Sequence, residues 1–160
     1  VTENEEIATG SFERLSHSQD LDEKFIAEAI RLSYNVYKII QEATMLFIEY
    51  PKCSTCQKAK KWLEEHNITY TDRHIVENNP TYEELKEWQS RSGLPLKKFF
   101  NTSGLLYKNM QLKDKLPTMT EEEQLQLLAT DGMLVKRPLI VDGDLVLTGF
   151  REAEWKEKLI

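Results

Sequence analysis

The chain has 160 residues, 40% of them hydrophobic, with 27 acidic against 21 basic side chains and a net charge of −6. That size suits one domain with a modest core, and no apolar run is long enough to span a bilayer. The charge balance offers no basic face for direct nucleic-acid binding.

Charge divides the chain near residue 45: residues 1–44 hold 9 acidic and 4 basic side chains, and 45–160 hold 18 and 17. Val1-Thr2-Glu3-Asn4-Glu5-Glu6 is acidic where a secretory signal would be basic, so a cytoplasmic location is expected. Asp20-x-x-Glu23 is a helix-cap signal, and Phe25, Ala29, Leu32, Val36 and Ile39/Ile40 approximate one apolar face of a helix over 21–42. A competing reading starts from Gln41-Glu42-Ala43. One permitted codon set for it, CAG-GAG-GCN, contains AGGAGG, a bacterial ribosome-binding sequence suitably placed before a start at Met45. Residues 1–44 are then an upstream stretch read in frame, or a dispensable extension. Both readings stand on the sequence.

From Met45 the pattern changes. Residues 45–50 read as a buried strand ending in Tyr50-Pro51-Lys52, and Cys53-Ser54-Thr55-Cys56 follows at once. Residues 54–66 then read as a helix with Ala59, Trp62 and Leu63 inward. Strand, sharp turn, CxxC and helix place Cys53 at a helix N-terminus, where unpaired N–H groups and the dipole favour a thiolate. Lys52, Lys58, Lys60 and Lys61 add positive potential nearby. Such surroundings lower a thiol pKa from about 8.5 toward roughly 3.5–7.5. Zinc wants four ligands, and His17, His66 and His74 are scattered singly, so no metal site is expected. A disulfide closing so short a loop removes little unfolded-state entropy. A CxxC in a reducing compartment is then catalytic or a sensor.

Residues 68–75 alternate as a half-buried strand. Thr81-x-x-Glu84 is a capping box opening a helix to about Ser92, which Gly93 ends. Pro95 starts a short helix carrying Leu96, Phe99 and Phe100. Thr120-x-x-Glu123 is a second capping box, followed by Leu125, Leu127 and Leu128 before Gly132. Leu139-Ile140-Val141 and Leu145-Val146-Leu147 flank Asp142-Gly143-Asp144, a hairpin signal. A helix from Arg151 to Leu159 closes the chain. Trp62, Trp88, Phe99 and Phe100 are expected in the core, and His66 and His74 on the surface. Two strands, inserted helices, a hairpin and a last helix make an α/β sandwich of thioredoxin type, with a helical insertion.

The stretch from Met45 to Ile160 resembles the arsenate reductase (ArsC)/Spx family of thioredoxin-like proteins. The residues that carry the resemblance are Tyr50-Pro51-Lys52-Cys53-Ser54-Thr55-Cys56-Gln57-Lys58-Ala59 with Trp62-Leu63, and Asn101-Thr102-Ser103-Gly104. Leu134 to Ile140, containing Lys136-Arg137-Pro138, and Leu147-Thr148-Gly149-Phe150 complete the set. The resemblance implies that Pro138 is cis beside the cysteine. It also implies that Cys53 is the nucleophile, Cys56 the resolving thiol and Arg137 an anion binder, with Arg151 close to a further anion-binding position. Ser103 stands where relatives have an arginine, and Glu49 is nearest to the place of a histidine in the typical enzyme. Both departures weaken an oxyanion cradle and leave thiol–disulfide chemistry untouched.

Two functions follow from the resemblance. One is a reductase acting on a small oxyanion or disulfide, with no bound cofactor and with glutathione, glutaredoxin or thioredoxin as electron donor. The other is a redox-sensing regulator of Spx type that contacts the C-terminal domain of the RNA polymerase α subunit. Spx relatives carry an arginine at the Ser103 position and a basic tail after the last helix, whereas this chain ends at Ile160. The enzyme reading is preferred.

Overall fold

Strand β1 (Leu46–Glu49) lies at the centre of the architecture because its side chains are wanted on both faces. In the computed structural model, which describes residues 7–42 and 44–160 and the side chains of 22–39 and 44–160, β1 joins a four-stranded sheet of order β2-β1-β3-β4. β2 (Thr71–His74) runs parallel to β1, while β3 (Leu139–Asp142) is antiparallel to it and forms a hairpin with β4 (Leu145–Thr148). The hairpin turns at Gly143, whose φ of 56° suits a residue without Cβ.

Alternation along the strands sends side chains into two separate cores. Phe47, Ile140 and Leu147 point to one face, where helix α2 (Ser54–Glu65) supplies Ala59, Trp62 and Leu63 and helix α7 (Glu152–Leu159) supplies Trp155. Ile48, Leu139 and Val146 point to the other, which is covered by α3 (Tyr82–Ser92), α6 (Glu121–Thr130) and the segment between them. The result is the expected thioredoxin-like sandwich with a helical insertion. Trp62, Trp88, Phe99 and Phe100 are all buried, as expected.

Local signals fix most helix ends. Thr81 and Thr120 each accept from the N3 backbone N–H while Glu84 and Glu123 reach back to the cap N–H, so both capping boxes form. Glu84 also accepts two bonds from Arg73 of β2, at 2.8 and 2.9 Å, tying the strand to the start of α3. The insertion holds two further short helices, α4 (Leu105–Asn109) and α5 (Leu112–Lys115), that the sequence reading does not contain. β2 is shorter than the expected 68–75, because only Thr71 to His74 find a partner in β1. His74 is half-buried rather than on the surface: it pairs with Glu49 in register and meets the Tyr50 ring edge-on at 5.7 Å.

The chain divides into two units at Gln41/Glu42. In the first, helix α1 spans Ile7–Glu42, so it starts well before the expected residue 21, and Asp20 lies inside it. No proline between residues 7 and 20 obliges a later start. Every described side chain from Asp22 to Ile39 is exposed, Phe25, Leu32 and Val36 included. Among the described residues, no helix is long and apolar enough to cross a membrane.

Candidate active site

Cys53 is the N-cap of α2, held by its own N–H donating to the Tyr50 carbonyl at 2.8 Å. Gln57 braces the turn by donating from Nε2 to the Pro51 carbonyl at 2.8 Å. This puts the Cys53 sulfur, half-exposed, over the first turn of the helix. Partial burial raises its pKa, but the Cys56 N–H, the Cys56 thiol, the Thr55 N–H and the Arg137 guanidinium all hydrogen-bond the sulfur, and together they bring it below the ordinary 9.0. Two of the four lysines named from the sequence have other engagements: Lys60 pairs with Asp72, and Lys61 lies 3.5 Å from Glu65. Directed hydrogen bonds, not a diffuse lysine field, favour the thiolate.

Cys56 differs completely. It is fully buried on the inward face of α2. Loss of water is the main cause that pushes its thiol up to about 12, against an opposing hydrogen bond from the Tyr50 N–H. One sulfur is poised for attack, and its neighbour stays protonated.

Arg137 reaches the site from the segment before β3. Its Nη1 donates to the Met133 carbonyl at 3.4 Å, and its Cζ lies 5.2 Å from the centre of the Tyr50 ring. Among the described residues no carboxylate pairs with it, and its buried Nε has no acceptor within the protein. The Arg137–Pro138 peptide bond is cis, as the resemblance implies.

The cleft that receives Cys53 measures about 910 Å³. Two distant parts of the chain form it, joined by backbone bonds from Asn101 N to Leu134 O and from Lys136 N to Phe99 O, each 2.7 Å. Arg137, Arg151 and Ser103 all line this cleft, while Cys56 lies buried behind it. Ser103 is turned to Asn101, donating to Oδ1 at 3.3 Å. Arg151 caps α7 and keeps a 3.0 Å contact with Glu154 at the cleft's edge. Lys97, Lys98 and Lys136 also line the cleft, and sequence reasoning gave them no role. Their only signal is two Lys/Arg pairs, Lys97-Lys98 and Lys136-Arg137, either side of the insertion. No carboxylate lines the cleft among the described residues, so the charged side chains that line it are all basic. Nor is any group of three or more His, Cys, Asp or Glu residues among them placed to hold a metal ion.

A four-stranded sheet between two helical layers, with CxxC at a helix start and a cis-proline just before β3, defines a thioredoxin-like protein. The ArsC family model matches residues 48–158, and the chain belongs to that family. A solved structure from Bacteroides fragilis, described as an ArsC family related protein, is 65% identical with a TM-score of 0.70, covering 71% of this chain and 96% of its own. The uncharacterized protein YusI of Bacillus subtilis is 56% identical over 114 residues, 71% of this chain and 97% of its own. The regulatory protein MgsR of the same organism is 34% identical over 113 residues, 71% of this chain and 88% of its own.

Proposed function

We propose that this chain is a cytoplasmic thiol–disulfide oxidoreductase acting on small anionic disulfides, with Cys53 as nucleophile. One observation carries the reading: a sulfur with lowered pKa opens into a cleft lined by Lys97, Lys98, Lys136, Arg137 and Arg151 and by no carboxylate among the described residues. The Cys53 thiolate attacks one sulfur of the substrate disulfide, forms a mixed disulfide and expels the first thiolate with its electron pair. Cys56 then attacks Cys53, expels the second thiolate and leaves a Cys53–Cys56 disulfide. Glutathione, glutaredoxin or thioredoxin returns the two electrons.

Size and charge both favour a disulfide over an oxyanion. The cleft falls within the ~300–1,000 Å³ of sites that enclose drug-sized ligands, far more than a tetrahedral oxyanion fills. Ser103 brings no charge to it, and Arg151 is shared with Glu154. Arg137 lines the cleft with no carboxylate partner among the described residues, which leaves its charge for an anionic group.

The likeness to MgsR supports a second reading. In it the same dithiol is a sensor, and the partner is the C-terminal domain of the RNA polymerase α subunit. Turnover assays with glutathione disulfide and a neutral disulfide, using thioredoxin as donor, and with arsenate, using glutathione or thioredoxin, separate the two. The oxidoreductase reading expects disulfide turnover, with Arg137→Ala costing roughly tenfold or more on glutathione disulfide and much less on the neutral disulfide. No turnover of any substrate, together with tight binding to the polymerase domain, would establish the regulator instead.

A further inference from the structure

We infer that Tyr50 is a positioning residue whose ring holds the Arg137 guanidinium against the Cys53 sulfur, an inference that rests on the nucleophile reading above. Arg137 needs such a holder. Its Nε is buried with no acceptor within the protein, and among the described residues no ion pair anchors it. The Nη1 bond to the Met133 carbonyl is 3.4 Å, longer than the ~2.7–3.2 Å of a good N–H···O bond. Two further contacts are the Cys53 sulfur and the face of the Tyr50 ring, whose centre lies 5.2 Å from Cζ. A ring face within ~6 Å attracts a cation, and the attraction grows where water is excluded, as it is at the buried Nε.

The ring is placed in turn by its own backbone and by β2. The Tyr50 carbonyl accepts the Cys53 N–H at 2.8 Å, and the Tyr50 N–H donates to the Cys56 sulfur. Both thiols are thus tied to the residue that carries the ring. Pro51 disfavours helical backbone at Tyr50, which keeps this link between β1 and the turn extended. On the β2 side the His74 ring meets the Tyr50 ring edge-on at 5.7 Å. His74 does not swing freely, since its Nδ1 accepts from the Val76 and Glu77 N–H groups, both at 3.2 Å.

The clamp matters because the thiolate is not permanent. While Cys53 is ionised, its charge draws the guanidinium, which helps to bring the thiol below 9.0. In a mixed disulfide that charge is gone, and the ring still presents a negative face to the guanidinium. Arg137 then stays in the cleft to meet an anionic group on the substrate. Several other charged or titratable groups surround this pair. Cys56 on α2 bonds the Cys53 sulfur, Glu49 at the end of β1 acts on Cys56, and His74 of β2 faces the ring. Lys97, Lys98, Lys136 and Arg151 line the cleft. Replacing Tyr50 removes none of them, so a change at Cys53 reports the loss of the clamp.

The test is the pH midpoint of Cys53 alkylation by iodoacetamide in the full chain, with the denaturant midpoint measured alongside. Tyr50→Leu keeps apolar bulk but removes the ring face, and should raise the Cys53 midpoint by ~0.5 pH unit or more, toward that of Arg137→Ala. Tyr50→Phe keeps the ring and should keep the wild-type midpoint. In an Arg137→Ala background Tyr50→Leu should add nothing, because a residue acting through another has no effect once that other is gone. An unchanged midpoint in Tyr50→Leu, or equal increments in both backgrounds, would overturn the inference. Pentafluorophenylalanine in place of Tyr50 covers the case in which the leucine variant does not fold. It keeps the shape of the ring, reverses the potential of its face and should raise the midpoint, whereas a midpoint equal to that of Tyr50→Phe would overturn the inference. A wild-type midpoint at or above 9.0 would instead overturn the reading of Cys53 itself, and this inference with it.

Discussion

Cys53 and Cys56 sit on one helical turn, yet their surroundings drive them in opposite directions. Cys53 collects hydrogen bonds from the Thr55 and Cys56 N–H groups and from Arg137, whereas burial dominates at Cys56. A thiol with lowered pKa is deprotonated over a wider range of pH, so its alkylation rate reaches its plateau earlier as pH rises. Iodoacetamide alkylation, followed separately at each cysteine, should show a midpoint below 9.0 for Cys53 and one raised to about 12 for Cys56. Coincident midpoints near the free-thiol value would remove the distinction. At this scale the sequence was informative wherever a role is local: the CxxC and the Arg-Pro pair state their positions directly. Lys97, Lys98 and Lys136 were not legible, because they gain a role only when residues 97–106 and 133–151 meet across the cleft. The lysines beside the motif misled for the converse reason. They are close in sequence, but Lys60 and Lys61 turn to Asp72 and Glu65.

Among helices α3 to α6, the two with side-chain caps were readable and the two without were not. Thr81 and Thr120 announce α3 and α6 through boxes that the structure forms in full. α4 and α5 begin at Gly104 and Gln111 without any side-chain cap, and each is too short to show a helical period. Another device hidden in the sequence is Gly132, in the 3₁₀ turn of residues Gly132–Leu134. A Cβ there would come within 1.8 Å of the Ile75 carbonyl oxygen, a backbone atom with little room to retreat. This close approach fixes the next residue, Met133, whose carbonyl accepts from both Arg137 and Asn101. Gly132→Ala is therefore expected to cost at least ~3 kcal/mol by denaturant titration, at or above the usual overpacking range. It should also raise the Cys53 alkylation midpoint, because Arg137 loses its anchor. An unchanged unfolding midpoint would show that the turn yields freely.

At the scale of the whole molecule, every described residue of both core clusters lies at or beyond Met45, and the family model begins at residue 48. A chain trimmed to residues 45–160 should therefore fold, with a denaturant midpoint and Cys53 reactivity matching those of the full chain. A loss of several kcal/mol on trimming would make α1 an integral part of the fold. The account as a whole turns on which sulfur attacks first. Mass spectrometry of Cys56→Ser and Cys53→Ser after treatment with glutathione disulfide reads this directly. Cys56→Ser should trap one glutathione on Cys53 about as fast as the wild type is attacked, and Cys53→Ser should remain largely unmodified because its remaining thiol is buried and protonated. An adduct forming at Cys56 of the Cys53→Ser protein as fast as at Cys53 of the wild type would contradict the assignment.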